Sequence, residues 1–87
     1  MFQNSAEMSL KHLLTRREIE VLKLIVAEKT SSEIAEELSI SIRTVETHRK
    51  NISTKTKVRN PIGLVKYAIQ SGFIDGYSYR AKKFVLV

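Results

Sequence analysis

The sequence contains no cysteine, no tryptophan, one proline and three glycines. Without thiols it has no disulfide framework, no thiolate zinc site and no cysteine nucleophile. Long apolar runs are missing as well. The longest are four residues, Leu24 to Ala27 and Phe84 to Val87, whereas a membrane-spanning helix needs roughly 20. Met1 to Leu10 has neither a basic start nor an apolar stretch, so it does not read as a secretory signal. Asp75 is the sole aspartate. A phospho-accepting receiver needs an acidic cluster and a longer chain, so any regulation by phosphorylation is expected to belong to a separate domain. With 87 residues there is room for one domain and one small core.

The residues that are present form an ordinary globular mixture, 43% apolar. Lys and Arg number 15 against 9 Asp and Glu, for a formal charge of +6 and a pI near 9.8. The distribution of charge says more than the total. Between Arg16 and Glu37 lie Glu18, Glu20, Glu28, Glu33, Glu36 and Glu37, against Arg16, Arg17, Lys23 and Lys29. Between Leu38 and Arg59 the only acid is Glu46, set against Arg43, Arg49, Lys50, Lys55, Lys57 and Arg59. A charge run by itself usually marks a solvated face. An acidic half followed by a basic segment implies, in addition, one surface built for phosphates.

Cap signals and apolar periodicity predict an all-α domain of four helices, near 16–28, 31–38, 42–56 and 61–71. Thr15 and Glu18 make a capping box, with Leu14 and Ile19 spaced to staple the entry turn. Ile19, Leu22, Ile25 and Val26 then form one apolar face. A second box, Thr30 to Glu33, opens a short helix carrying Ile34, Ala35 and Leu38. Only Ser39-Ile40-Ser41 separates it from the next start, where Ser41 caps and Ile40 staples onto Val45. Helices joined by so short a turn cross steeply, as in a helix-turn-helix. The fourth helix opens at Asn60-Pro61 and stops at Gly72, with Ile62, Val65, Ala68 and Ile69 as its expected buried stripe. The expected organisation is a tail over 1–13, the helical domain over 14–74 and a second tail over 75–87.

The third helix has little apolar surface. Val45 and Ile52 must anchor it, which turns Glu46, Arg49, Lys50 and Ser53 outward, with Arg43 and Thr47 nearby. These side chains suit the major groove of double-stranded DNA, about 12 Å wide, where Lys and Arg favour guanine edges and carboxylates accept from cytosine. Arg43, Lys55, Lys57 and Arg59 suit phosphates. Ser31 and Ser32, at a helix N-terminus, offer further amides and hydroxyls to the backbone. Glu20, Glu36 and Glu37 are expected in solvent.

The ordered set Leu14-Thr15-x-Arg17-Glu18-Ile19-x-Val21-Leu22, Ser32-Glu33-Ile34-Ala35-x-x-Leu38, Ile40-Ser41-x-x-Thr44-Val45-x-x-His48, Ile52 and Val58-Arg59-Asn60 resembles the LuxR/NarL-type (FixJ-like) helix-turn-helix of bacterial transcription regulators. The resemblance covers Leu13 to Ile74. It implies a cytoplasmic DNA-binding output domain, often of a two-component response regulator, that binds as a homodimer through its fourth helix, with RNA polymerase as a further partner. Carried over by position, it places Glu46, Thr47 and Lys50 on base edges and Thr44, His48 and Arg49 near the backbone. The chain departs from the family at Ser53 and Thr56, where apolar residues are usual, and at Lys57, where glycine is common. A left-handed Lys57 costs about 1 kcal/mol relative to glycine.

Neither His12 nor His48 has a second metal ligand at helical spacing, so no metal or other cofactor is expected. No paired acid and base and no Gly-rich phosphate loop is present, which argues against an enzyme and against a small-molecule ligand. Val65, Tyr67 and Ile69 cannot all face one core, so the fourth helix is expected to expose Leu64 or Tyr67 and to offer Leu64, Val65, Tyr67 and Ile69 to a second copy. Tyr77, Tyr79, Arg80, Lys82 and Lys83 read as a mobile tail rather than an arm over nucleic acid. The alternative function is a protein-interaction adaptor using the fourth helix and the apolar end Phe84 to Val87.

Overall fold

A computed structural model describes residues 13–75. Residues 1–12 of the first tail, His12 included, and the aromatic and basic residues from Tyr77 onward lie outside the described residues. The described elements are α1 (Arg16–Val26), α2 (Ser31–Leu38), α3 (Ile42–Thr56) and α4 (Pro61–Gln70). All four expected helices are present, and no strand occurs among the described residues.

Each helix begins where a side chain closes a free amide. Thr15 Oγ1 accepts from the Glu18 amide at 3.1 Å, and Glu18 Oε1 accepts from the Thr15 amide at 2.9 Å. Thr30 and Glu33 repeat the arrangement at 3.1 and 2.8 Å. Ser41 Oγ accepts from the Thr44 amide at 3.0 Å, and Asn60 Oδ1 from the Gly63 amide at 2.7 Å. Each bond satisfies a donor that the first turn of a helix leaves open.

The helix ends follow a common rule that uses glycine only once. Glu28, Ser39, Lys57 and Gly72 all have positive φ, at 67, 56, 63 and 79°. At three of these ends the next amide reaches back to close a Schellman motif: Lys29 to the Leu24 carbonyl, Ile40 to Ala35 and Phe73 to Ala68, at 3.0, 3.0 and 2.9 Å. Lys57 ends α3 with the simpler bond, its amide on the Ser53 carbonyl at 2.8 Å. This reversal at Glu28 is why α1 stops at Val26 rather than at 28.

The core is built on α1, which packs against the other three helices, while α3 also rests on α2. Leu22, Ile34, Ile52, Val21 and Val45 are its fully buried centre, with Leu14 closing the entry to α1. Val21 thus takes a place in the core that the expected α1 stripe left out, and Ile19 is only partly covered. Glu20, Glu36 and Glu37 are exposed as expected.

The face that α4 buries also differs from expectation. Leu64, Tyr67 and Ala68 point into the core, whereas Ile62 is 75% exposed and Val65 and Ile69 are half-buried. An apolar helix offers two stripes of similar periodicity, and long-range packing decides between them. Leu64 and Tyr67, expected to be available to a second copy, are therefore occupied within the monomer. Phe73 folds back toward Tyr67, with ring centroids 6.3 Å apart. Gly63 lets the connection fold tightly over α4, because a Cβ there would lie 2.6 Å from Val58 Cγ1.

Candidate nucleic-acid interface

The longest described helix carries the least apolar cargo for its length. Of the 15 residues of α3, only Val45 and Ile52 are buried. At 100° per residue, Arg43, Thr47, Lys50 and Thr54 then fall within about 60° of one another on the opposite side. All four are exposed. The row extends about 16 Å, the rise of roughly five base pairs. Glu46 and Asn51 are exposed along its flanks. Asn51 and Thr54 were not among the expected site residues, yet continuing the same angular count past Lys50 finds Thr54.

The expected site residues do not share one environment. Glu46, Thr47 and Lys50 lie in solvent, as do Arg43, Thr44, Lys57 and Arg59. Arg49 and Ser53, expected outward, are half-buried, because position 49 follows Val45 by just over one turn and returns toward the anchored side. His48 is half-buried, and its Nδ1 is buried without a hydrogen-bond partner. Thr47 Oγ1 donates to the Arg43 carbonyl at 3.1 Å, which fixes its rotamer. Ser32 is exposed and Ser31 half-buried at the start of α2, their amides outside the Thr30–Glu33 box. The Thr30 amide holds the Glu33 carboxyl below its ordinary pKa.

Lys55 stands apart from the other basic residues of the expected site, because it is paired within the fold. Expected on phosphates, its ammonium instead lies 2.8 Å from Glu18 Oε1. The Glu18 side chain is 5% exposed and that of Lys55 34%. Burial by itself raises the Glu18 pKa. Hydrogen bonds from the Lys55 ammonium and the Thr15 amide, together with the Lys55 charge, outweigh it and hold the carboxyl below its ordinary value. The partners are 37 residues apart, so no local pattern reveals the pair; the one available signal was a carboxylate placed both in a capping box and at the edge of the apolar face.

Among the described residues no three His, Asp or Glu side chains gather as a metal set, and no helix is long and apolar enough to cross a membrane. What α3 presents is a convex rod of donors, with one carboxylate, held by a small core.

Comparison with known proteins agrees with this geometry. The family described as bacterial regulatory proteins, luxR family, matches residues 12–68. The chain is 46% identical over 62 residues to the transcriptional regulatory protein MctR of Rhizobium johnstonii, covering 71% of this chain and 29% of that protein. It is 47% identical over 68 residues to the uncharacterized response regulatory protein YgeK of Escherichia coli, covering 78% and 46%. With the transcriptional regulatory protein LiaR of Bacillus subtilis the identity is 42% over 74 residues, covering 84% and 35%. The chain thus spans under half the length of these relatives. They are regulators rather than enzymes, and the adaptor alternative is not favoured. The chain belongs to the luxR family of bacterial regulatory proteins, as a helix-turn-helix DNA-binding module.

Proposed function

We propose that this module is the output segment of a two-component response regulator and places α3 in the major groove of double-stranded DNA. Glu46, Thr47 and Lys50 face base edges. Arg43, Thr44, His48, Arg49, Lys57 and Arg59 line the sugar-phosphate backbone, with Ser31 and Ser32 of α2 on the adjacent strand. The observation that carries this reading is the exposed row Arg43, Thr47, Lys50 and Thr54 on a helix anchored by two apolar residues. The response-regulator setting is supported by the similarity to YgeK, a response regulatory protein, and by the greater length of the relatives. The work is done in the cytoplasm, where the bacterial chromosome lies, and RNA polymerase is a further partner of the same reading.

Two copies meet on DNA through the outer stripe of α4, Ile62, Val65 and Ile69, which share an arc of about 60°. That stripe replaces the expected set, since Leu64 and Tyr67 are buried in the monomer. So small a patch associates weakly by itself, so a monomer in free solution and two copies per duplex at saturation are expected in sedimentation.

The test of DNA recognition is selection of duplexes from a random pool, followed by affinity measurements over a range of salt. Neutralising about five phosphates gives a log–log slope near −4 to −5. An enriched sequence with that slope supports the reading; no retardation of any duplex at low salt would refute it.

A further inference from the structure

The strongest unassigned feature is the ion pair between the start of α1 and the end of α3. Glu18 Oε1 accepts two donors at once, the Thr15 amide at 2.9 Å and Lys55 Nζ at 2.8 Å. The first closes the α1 capping box. The second reaches across 37 residues of sequence to the last turn of α3. One carboxylate oxygen therefore ties the beginning of the central scaffold helix to the far end of the reading helix.

We propose that Lys55 is a positioning residue that fixes the pitch of α3 in the groove through Glu18, and that it is not a phosphate ligand. Three observations carry this. Lys55 lies about 110° around α3 from the centre of the exposed row, on the side turned to α1. Its ammonium donates to a carboxylate whose side chain is 5% exposed. Charge-assisted bonds to a covered carboxylate are strong, and removing either partner leaves the other uncompensated. Apolar anchoring of α3 comes from Val45 and Ile52 alone. The pair supplies a third fixed point beyond Ile52, near the end of the helix. Without it, α3 is held only by its two apolar contacts and the corner at its start, and the base-facing side chains lose register.

This inference rests on the proposed DNA reading, and its test separates the two. The unmodified chain, Lys55→Met, Lys55→Arg and Glu18→Gln are titrated over a range of salt against a duplex selected from a random pool and against a random-sequence duplex. All titrations are made at a temperature where circular dichroism shows each variant folded. Lys55→Met is expected to lose roughly tenfold in affinity for the selected duplex, little for the random one, and to keep the salt slope unchanged. Lys55→Arg, which still donates to Glu18, is expected to recover most of the discrimination. A slope reduced by about 0.9, the signature of one lost phosphate contact, overturns the proposal. An equal loss on both duplexes, or no loss on either, overturns it too. Where Lys55→Met does not fold, Glu18→Gln decides: reduced discrimination supports positioning, whereas a gain on both duplexes shows an ammonium released to bind phosphate. If the unmodified chain does not prefer its selected duplex, the DNA reading fails and this inference falls with it. If it does, any of the contrary results overturns the inference alone.

Discussion

Helices α1 and α3 of this small domain divide the labour unequally. The 11 residues of α1 bury Glu18, Val21, Leu22, Ile25 and Val26, whereas the 15 of α3 bury Val45 and Ile52. One helix is nearly all interior on one side; the other keeps most of its length for solvent. Helical stability in proteins comes mainly from tertiary packing of an apolar face. A long helix with so little of that face persists because its neighbours hold it. What it leaves exposed is available for recognition.

The contrast predicts separable effects. Ile52→Ala should produce the largest, about 2–5 kcal/mol lost in urea unfolding, because it removes one of the two anchors of α3. A smaller loss would mean that Ile52 is not a main anchor of α3. Lys50→Ala should invert the pattern. Unfolding stability is expected to change by less than about 0.5 kcal/mol, while affinity for a selected duplex falls by about 1–3 kcal/mol and specificity relaxes at one base pair. A uniform weakening on all duplexes would make Lys50 a backbone contact.

The outline was legible in the sequence because it is written locally. Thr15, Thr30, Ser41 and Asn60 each sit three residues before the amide they close, and the chain order alone exposes that spacing. The outward position of Lys50 follows from two apolar residues and the helical repeat. Distance in sequence is what defeats such reading. Ile62 looks as apolar as Leu64, and only the shape of the remaining core decides that Leu64 goes in. Lys55 looks like any basic residue near a nucleic acid until the fold brings Glu18 to it.

Two further tests concern helix ends. The folded-state pKa values of Glu18 and Glu33 are lowered. Their contribution is therefore complete above the unfolded carboxylate range, near pH 4.3, and disappears as pH falls through the lower folded values. Urea unfolding between pH 3 and 7 should show a falling acid limb, made shallower by Glu18→Gln. An unchanged limb in that variant would show that the pair does not couple to stability. The smallest effect is expected at Lys57, whose left-handed backbone favours glycine. Lys57→Gly should stabilise the fold by up to about 1 kcal/mol, with a slightly weaker salt dependence of DNA binding.

The corner at Ser39 has a consequence for the DNA itself. Two backward-reaching amides, those of Ser39 and Ile40, and the Ser41 cap immobilise the three residues between α2 and α3. A joint so constrained has no slack with which to follow a poorly fitting helix. Any mismatch in curvature must be absorbed by the duplex, so targets with pliable TA or CA steps beside the contacted bases should outcompete stiff ones of identical contact sequence.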